Sequence, residues 1–432
     1  MILSRGTVLP TEEQSRVLEQ LPGWINETLA RPPLLPEVTI AACDRLSRRA
    51  QDGAFDREIA GLDLDPALKK EQVDTALALL RRESLQAMVD IQLGPAPFAP
   101  VTVRPPHHSG AIVKQRRPLG VLLHIAAGNL DGLPAFTVVE GLLAGNINLL
   151  KLPSADHGLS IALLRRLVEE EPALADYIYV FDTPSEDVAA LRRLADLSDG
   201  VVIWGGEGAV SAVRTLAPTG VKLIEWGHRL GFAYVTDRGR EEGQLSALAE
   251  HIMKTKQLLC SSCQTIFLDT GDMGQLREFA GQFLPLLERA ARRWPVRDMG
   301  ALAQGTLRRY TARLERAAGQ GGETILEGDG CSLTLREDRE LELSAQFGNP
   351  ILKCLPRSEL LPTLRRSRGV LQTAGLLCAP EERQELTETL LRAGLVRITG
   401  AGEMSRGTCT DAHDGEYPLQ RYTRVVQWDA MP

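Results

Sequence analysis

The stretch that decides the fold is Leu119-Gly-Val-Leu-Leu-His-Ile125, a short and nearly continuous apolar run. Such runs are typical of strands that are buried on both faces of a parallel sheet. Downstream, the pattern predicts a helix from Asp131 to Leu143, a strand over residues 147–151, and a helix from Ser154 or Asp156 to residue 170. Strands that alternate with helices of this length indicate a parallel sheet covered by helices on both faces.

The alternation continues as far as residue 224. It predicts strands at residues 177–181, 201–204 and 221–224, with helices around residues 186–195 and from residue 207. Parallel sheets of this kind bind their ligands beyond the carboxyl ends of the strands. No GxGxxG pattern follows any of these predicted strands, so the ordinary dinucleotide fingerprint is absent from the sequence.

Three further regions complete the predicted organisation. Residues 1–95 are expected to be mostly helical with proline-rich breaks, including one helix over residues 69–93, and residues 101–117 are expected to form an extended hairpin. Residues 230–400 follow a second α/β pattern. Its predicted helices lie around residues 244–258, 273–293, 301–318 and 383–393, and its predicted strands near residues 323–326, 332–335, 350–355 and 395–398.

The composition limits the class of protein. The chain has 432 residues, of which 44% are apolar and 24% charged, with a net charge of −7, as expected of a globular protein with two or three domains. It has no dense block of Lys and Arg, so we expect no nucleic-acid partner. We expect no signal peptide, because the N-terminus lacks a basic region followed by an apolar core. We expect no membrane span, because the sequence has no run of about twenty apolar residues. A cytoplasmic enzyme is therefore predicted.

Seven cysteines at irregular spacing argue against a disulfide framework. Cys260 and Cys263 form a C-x-x-C pair, which is typical of redox or zinc sites. No second pair accompanies it, and His251 and Cys331 lie at no standard zinc spacing, so no metal site is predicted. Cys260 lies between a helical and a strand-like segment, a position that suits a nucleophile presented at the end of an element. A buried structural thiol is the alternative interpretation.

Six segments resemble, in order, motifs of the aldehyde dehydrogenase superfamily. They are residues 117–129, 142–151, 224–229, 257–260, 346–350 and 391–398. The resemblance implies an aldehyde-dehydrogenase-like α/β fold with a parallel-sheet cofactor-binding domain at residues 1–229, which includes a bridging hairpin at residues 101–117. It further implies an α/β catalytic domain at residues 230–400 and a C-terminal bridging or oligomerisation tail at residues 401–432. A homo-oligomer is expected on the same basis.

Within that superfamily, the chain is most similar to the fatty acyl-CoA reductases of bacterial bioluminescence. The likeness rests on His124-Ile-Ala-Ala-Gly-Asn-Leu-Asp-Gly-Leu-Pro134, Gln257-Leu-Leu-Cys260-Ser-Ser-Cys263-Gln264 and His413-Asp-Gly-Glu-Tyr-Pro-Leu-Gln-Arg421. It implies NADPH-dependent reduction of acyl-CoA or another acyl thioester to an aldehyde. It also allows a protein partner that transfers or activates the acyl group.

The resemblance assigns three catalytic roles. Cys260 would attack the thioester and carry the acyl group. Asn129 would donate its side-chain N–H to the oxyanion, although a turn residue beside Gly128 is the alternative. Glu225 matches the general base of the dehydrogenases. In a reductase it would instead move a proton to or from Cys260 or the thiohemiacetal, unless it is a plain strand-end carboxylate.

The same resemblance places cofactor contacts at strand ends. Lys151 would lie near the cofactor ribose, and Ser154 stands where the related motif carries an acid. A 2′-phosphate would meet no repulsion there, so NADPH is predicted in preference to NADH. Gly205 and Gly206 precede a predicted helix and would let the backbone approach the pyrophosphate, unless they form a simple turn.

Several positions depart from the family pattern or leave the function open. Cys263 is interpreted as structural, and His413 either forms a simple turn or lies near the active site. The ribose-binding Glu of the superfamily is replaced by Ala345, and Glu342 lies out of register with it. Two alternative functions remain. One is an aldehyde dehydrogenase that oxidises an aldehyde to an acid or to acyl-CoA, and the other is a non-catalytic subunit of an acyl-transfer complex.

Overall fold

The computed structural model describes residues 1–60, 66–107, 110–126, 132–154, 156, 158–319 and 324–430. They form two compact units. The first consists of Met1–Gly227 together with Thr408–Pro432, and the second of His228–Gly407. We describe each unit by itself.

The first unit contains a seven-stranded sheet, a three-stranded sheet and ten helices within the described residues. The strands are β1 (Ile2–Ser4), β2 (Thr7–Leu9), β3 (Val101–Val103), β4 (Ile112–Pro118), β5 (Val121–Ile125), β6 (Ile147–Lys151), β7 (Ile178–Phe181), β8 (Gly200–Trp204), β9 (Lys222–Trp226) and β17 (Thr423–Asp429). The helices are α1 (Gln14–Leu29), α2 (Pro36–Gln51), α3 (Asp56–Ala60), α4 (Pro66–Leu79), α5 (Arg82–Leu93), α6 (Leu133–Leu143), α7 (Leu159–Glu170), α8 (Val188–Asp196), α9 (Glu207–Leu216) and α15 (Pro418–Arg421).

The larger sheet of the first unit has the order β2-β1-β7-β6-β5-β8-β9, and its strands from β5 to β9 are parallel. From β5 the chain winds outward to β6 and β7 on one side, and then returns to place β8 and β9 on the other. The order therefore reverses between β5 and β8. In open parallel sheets, this reversal opens a crevice at the carboxyl ends of the two strands, where ligands bind. Every residue of β6 is buried, as the sequence predicts for a sheet covered on both faces.

One long predicted helix is wrong. The sequence pattern favours a continuous helix over residues 69–93, whereas the structure ends α4 at Leu79 and begins α5 at Arg82. The cause is a tertiary contact, because the Arg82 backbone N–H donates to Asp44 Oδ1 of α2 at 3.2 Å. A carboxylate at the first turn satisfies an N–H group that a continuous helix would have paired internally.

The three-stranded sheet joins two distant parts of the sequence. β3 and β4 form the predicted hairpin, and β17 pairs with the whole length of β4, from Thr423 opposite Pro118 to Asp429 opposite Ile112. The C-terminal segment is thus part of the first unit. Because β17 is an edge strand of this sheet, its pairing across subunits stays a prediction.

The second unit is built on another seven-stranded sheet. Its strands are β10 (Leu230–Val235), β11 (Cys263–Leu268), β12 (Thr324–Gly328), β13 (Cys331–Arg336), β14 (Ile351–Cys354), β15 (Leu371–Leu377) and β16 (Arg397–Thr399), in the order β12-β13-β14-β11-β10-β15-β16. Its helices are α10 (Glu242–Thr255), α11 (Met273–Arg293), α12 (Met299–Ala317), α13 (Arg357–Leu364) and α14 (Arg383–Ala393). The central strands β10, β11 and β15 are buried along their whole length, so the core lies on both faces of this sheet.

Candidate active site

The Cys260 turn connects α10 to β11. The helix ends where Lys256 and Gln257 take the left-handed conformation, with φ of 52° and 61°. A tight turn follows, because the Ser262 N–H donates to the Leu259 carbonyl at 2.9 Å. Cys260 lies inside that turn with its side chain exposed. The structure therefore presents this thiol to solvent at an element end.

A buried glutamine fixes the turn. Gln257 is fully buried, and its Nε2 donates to the Cys263 carbonyl at 2.8 Å. Its Oε1 accepts from the backbone N–H groups of Gly348 at 3.1 Å and Asn349 at 3.0 Å. One amide thus ties both ends of the Cys260 turn to the loop that precedes β14, and it satisfies backbone groups that would otherwise be buried without partners.

The loop that Gln257 grips has an unusual backbone. Gln346, Phe347 and Gly348 all have positive φ, of 57°, 49° and 82°. The Phe347 N–H donates to the Lys256 carbonyl at 2.9 Å, which joins the two left-handed segments directly. Residues with a side chain rarely adopt a positive φ, so the surrounding contacts must hold this segment in its conformation. This arrangement gives the Cys260 turn a rigid support.

The two cysteines of the C-x-x-C pair differ in environment. Cys263 begins β11 and is fully buried, and burial raises the pKa of its thiol far above the ordinary value. Cys260 is the exposed cysteine among the seven, all of which are free. Since thiolates are the reactive form, only Cys260 of this pair is placed to react.

A contact that the sequence did not reveal lies at the sulfur of Cys260. Gln372 Nε2 of β15 donates to Cys260 Sγ at 3.2 Å. Gln372 is buried in a strand whose other residues are mostly apolar. The signal that could have indicated it is a polar residue within an otherwise buried apolar run.

In the first unit, Glu225 is held by an arginine. Arg214 of α9 donates from Nε to Oε1 at 2.5 Å and from Nη2 to Oε2 at 2.7 Å, while the Glu225 side chain is 23% exposed. The hydrogen bonds from Arg214 lower the pKa of Glu225 against the opposing effect of partial burial. Glu225 is therefore an ionised acceptor.

His413 packs against two tryptophans that end neighbouring strands. Its ring centroid lies 4.7 Å from that of Trp204 at the end of β8 and 5.0 Å from that of Trp226 at the end of β9. His413 and Glu416 exchange two backbone hydrogen bonds of 2.8 and 2.9 Å, which close a tight turn. His413 thus belongs to a turn, and that turn lies at the carboxyl ends of β8 and β9.

The predicted cofactor residues also lie at this carboxyl edge. Lys151 ends β6 with its side chain buried and donates from Nζ to Ser185 Oγ at 3.1 Å, and burial lowers its pKa. Ser154 lies in an exposed turn after β6. Gly205 follows β8. Gly206 is the N-cap residue of α9 and provides no side-chain hydrogen bond to the first turn of that helix. Asn129 lies outside the described residues.

Glu342 is engaged within the second unit. It pairs with Lys353, which is fully buried, and with Arg336 at 3.0 Å. Ala345 instead lines a groove of about 650 Å³ together with Arg308 and Phe347. Glu342, the carboxylate nearest in sequence before Ala345, is thus held in ion pairs within the second unit.

A family model, described as acyl-CoA reductase (LuxC), matches residues 37–425. The chain belongs to this family. Two curated relatives of this LuxC-family chain are long-chain acyl-protein thioester reductases. That of Photobacterium leiognathi is 23% identical over 324 residues, which are 72% of this chain and 64% of the relative. That of Vibrio harveyi is 21% identical over 379 residues, which are 85% of this chain and 76% of the relative. The chain thus spans 64% of the length of the Photobacterium relative.

Solved structures show the fold of the LuxC-family chain. It superposes on aldehyde dehydrogenase 21 from Physcomitrella patens with a TM-score of 0.73 at 9% identity, covering 98% of this chain and 91% of that one. For the NADP-dependent glyceraldehyde-3-phosphate dehydrogenase from Bacillus halodurans C-125, the TM-score is 0.69 at 16% identity, with 99% and 95% covered. The predicted aldehyde-dehydrogenase-like fold is confirmed.

The described residues of the LuxC-family chain contain neither a candidate membrane-spanning helix nor a candidate metal-binding cluster. No helix in these ranges is both long and apolar enough to cross a membrane. No group of three or more His, Cys, Asp or Glu side chains in the same ranges is arranged to hold a metal ion.

Proposed function

We propose that the protein reduces an acyl thioester to an aldehyde through an acyl group carried on Cys260. The thiolate attacks the thioester carbonyl, and the donor thiol leaves from the tetrahedral adduct. A nicotinamide cofactor, when bound, supplies the hydride that converts the acyl-cysteine to a thiohemiacetal. The observation that carries this proposal is the exposed Cys260 thiol, held in a turn that buried Gln257 braces.

The carboxyl edge of the first sheet suits a dinucleotide. The N-terminus of α9 has no side-chain cap, and a Cβ at Gly206 would meet nothing within 4 Å, so its backbone N–H groups are open to an anion such as a pyrophosphate. This helix follows β8, one of the two strands between which the strand order reverses. Gly205 and Gly206 are thus proposed as pyrophosphate contacts.

NADPH is proposed in preference to NADH. Ser154 brings a hydroxyl rather than a carboxylate to the turn after β6, so this side chain does not repel an anionic 2′-phosphate. Lys151 ends the same strand and supplies a cation. Its hydrogen bond to Ser185 Oγ orients the ammonium group, and the nearby carboxylates of Glu186 and Asp182 favour its charged form.

The pairing of Glu225 favours reduction over hydrolysis. An acyl-enzyme is hydrolysed when a base with a pKa near the working pH activates water. Arg214 lowers the pKa of Glu225, which makes it a weak base for that purpose. As an ionised carboxylate, it remains a proton acceptor for the hydroxyl of the thiohemiacetal. The lowered pKa of Glu225 disfavours the alternative in which an aldehyde is oxidised to a free acid.

The oxyanion donor and the partners are proposed on the resemblance. Asn129 is proposed to donate its side-chain N–H to the oxyanion, and the motif alone supports this role. Relatives of this chain are named acyl-protein thioester reductases, so a protein-borne acyl group is proposed as a donor beside acyl-CoA. A homo-oligomer is proposed because β17 leaves an open strand edge.

A steady-state experiment tests the proposed function. Purified protein is supplied with acyl-CoAs of several chain lengths and either NADPH or NADH, and both aldehyde and free acid are quantified. We expect aldehyde in stoichiometric amount with oxidised NADPH, and none from Cys260→Ala. Cys263→Ala serves as the matched control and should retain activity. Free acid as the main product, or aldehyde from Cys260→Ala, would contradict the proposal.

A further inference from the structure

The contact between Gln372 and Cys260 arises from an irregularity in the second sheet. Along the pair of β10 and β15, Leu230 lies opposite Leu371 and Phe232 opposite Ala374. Two residues of β15, Gln372 and Thr373, therefore face the single residue Gly231. Such a bulge turns a side chain away from the direction that regular pairing would give it.

Gly231 also brings the nucleophile turn close to this bulge. A Cβ at this position would lie 2.6 Å from the Ser262 carbonyl oxygen and 2.8 Å from that of Ser261, so only glycine allows the backbone of the turn to pack here. On the other side of β10, the pairing with β11 is also irregular at Gly231. The strand thus carries the Cys260 turn on one side and Gln372 on the other.

The amide of Gln372 is held in a defined orientation. The Thr373 hydroxyl donates to Gln372 Oε1 at 3.4 Å. The backbone carbonyl of Gln372 accepts from the Val396 N–H at 3.3 Å, which fixes the strand at the base of this side chain. With Oε1 engaged in this way, Nε2 points to Cys260 Sγ at 3.2 Å. Gln372 is buried while Cys260 is exposed, so water approaches this hydrogen bond from the side of the sulfur only.

We propose that Gln372 is a catalytic residue whose side-chain N–H donates to the sulfur of Cys260 and stabilises its thiolate form. This inference rests on the proposed function for its place in the reaction, but the hydrogen bond itself acts in the free enzyme. An N–H donor favours the charged sulfur over the neutral thiol. An amide carries no charge and does not titrate, so it supports the thiolate equally across the working pH range.

The hydrogen bond acts twice in one turnover. In the first half, the electron pair of the thiolate forms the bond to the acyl carbon, and the bond between that carbon and the donor sulfur breaks with its pair leaving on the donor thiolate. In the second half, the hydroxyl of the thiohemiacetal loses its proton to a base, the carbonyl forms, and the bond from carbon to Sγ breaks with its pair returning to Cys260. Gln372 stabilises the sulfur as nucleophile and as leaving group.

Alkylation of the free enzyme tests this inference without any acyl substrate. The rate at which iodoacetamide labels Cys260 is followed by peptide mass mapping from pH 5 to pH 10 in the wild-type protein and in Gln372→Met, which keeps the length of the side chain and removes the donor. A hydrogen bond to a charged group corresponds to about a tenfold or larger effect. We expect Gln372→Met to label about tenfold more slowly at pH 6, with the midpoint of its pH profile shifted upward by about one unit and the same limiting rate at high pH.

Two further variants keep the result interpretable. Gln372→Glu places a carboxylate beside the sulfur and should slow labelling at pH 6 further than Gln372→Met. Gln244→Met makes the same substitution at a half-buried glutamine of α10 that donates to Glu241, and it should match the wild-type profile. An unchanged pH midpoint in Gln372→Met, or an equal loss of rate at every pH, would overturn the inference. A normal labelling profile with no acylation of Cys260 would instead count against the proposed function alone.

Discussion

Arg214 holds Glu225 through two parallel hydrogen bonds, from Nε at 2.5 Å and from Nη2 at 2.7 Å. Arg214 lies on α9 and Glu225 lies near the carboxyl end of β9, the next element of the chain. The short connection between them brings the guanidinium to the carboxylate. This planar, paired geometry is the strongest form of a charge-assisted hydrogen bond in proteins. It keeps the Glu225 carboxylate ionised.

Removal of Arg214 should release that base. In Arg214→Met, the pKa of Glu225 rises toward the ordinary value, water activation improves, and acyl-Cys260 is hydrolysed more often. We expect the ratio of acid to aldehyde to rise severalfold in single-turnover product analysis. Arg165→Met, which removes an exposed arginine from a surface pair with Glu169, is the control and should leave the ratio unchanged. A constant ratio in Arg214→Met would show that Arg214 does not restrain hydrolysis.

The same pair should contribute to stability in a pH-dependent way. Because the pKa of Glu225 is lowered in the folded protein, its contribution is present above the ordinary value of 4.5 and is lost as the pH falls through the lowered value. At pH 7, Arg214→Met should lose a small part of the unfolding free energy, because Arg214 is exposed and water screens the pair. Urea denaturation should show this difference at pH 7 and a smaller one at pH 3.5.

The buried hydrogen bonds of the Gln257 side chain should stabilise the folded protein. Gln257→Leu leaves the N–H groups of Gly348 and Asn349 without their acceptor in a buried site. We expect a loss of about 2–6 kcal/mol in urea denaturation, since each of the two buried unsatisfied groups costs about 1–3 kcal/mol. Gln257→Glu retains an acceptor oxygen and loses the donor to Cys263, so its loss should be smaller. Equal stability of wild type and Gln257→Leu would refute the role of this amide.

Ser154 should set the preference between the two nicotinamide cofactors. In Ser154→Glu, a carboxylate stands where the 2′-phosphate is proposed to bind, and like-charge repulsion should weaken NADPH binding about tenfold or more. Binding of NADH, which has no such phosphate, should change little. Isothermal titration with each cofactor measures both constants, and Ser154→Ala should keep the preference for NADPH. An unchanged ratio of NADPH to NADH affinity in Ser154→Glu would show that the 2′-phosphate does not bind beside Ser154.

Glu140 of α6 should make the protein less stable as the pH rises. It is almost fully buried beside Tyr422, and burial raises its pKa to about 8 from 4.5. Between these values the folded state holds a proton that the unfolded state has lost, so stability falls by up to about 1.4 kcal/mol per pH unit. His124 and His251 have lowered pKa values of about 4 and oppose this trend only below pH 6.5. Denaturation of Glu140→Gln from pH 6.5 to pH 8 should give a flatter curve than wild type.

Elements with strong local patterns could be predicted from the sequence. The buried runs of β5 and β6 and the long amphipathic helix Met273–Arg293 carry their signal in their own residues. The division between α4 and α5 could not be predicted, because the group that separates them is Asp44 of α2. Local patterns carry no record of such contacts between elements.

The candidate site could be predicted only in part for the same reason. Cys260, Lys151 and Glu225 lie at element ends, where short motifs identify them. The residues that donate hydrogen bonds to Cys260 and Glu225 could not be predicted. Arg214 precedes Glu225 by 11 residues on another element, and Gln372 lies 112 residues beyond Cys260 and reaches it through a bulge. Sequence patterns identified the proposed reacting groups, while packing determines their electrostatics.

The most direct test of the acyl-cysteine mechanism is mass spectrometry of one acyl-enzyme before and after addition of NADPH. Protein incubated with an acyl-CoA in the absence of cofactor should gain one acyl group on Cys260, and NADPH should then discharge it as one equivalent of aldehyde. Cys260→Ala should gain no acyl group. An acyl group on Cys263, or an adduct on Cys260 that NADPH does not discharge, would contradict the mechanism.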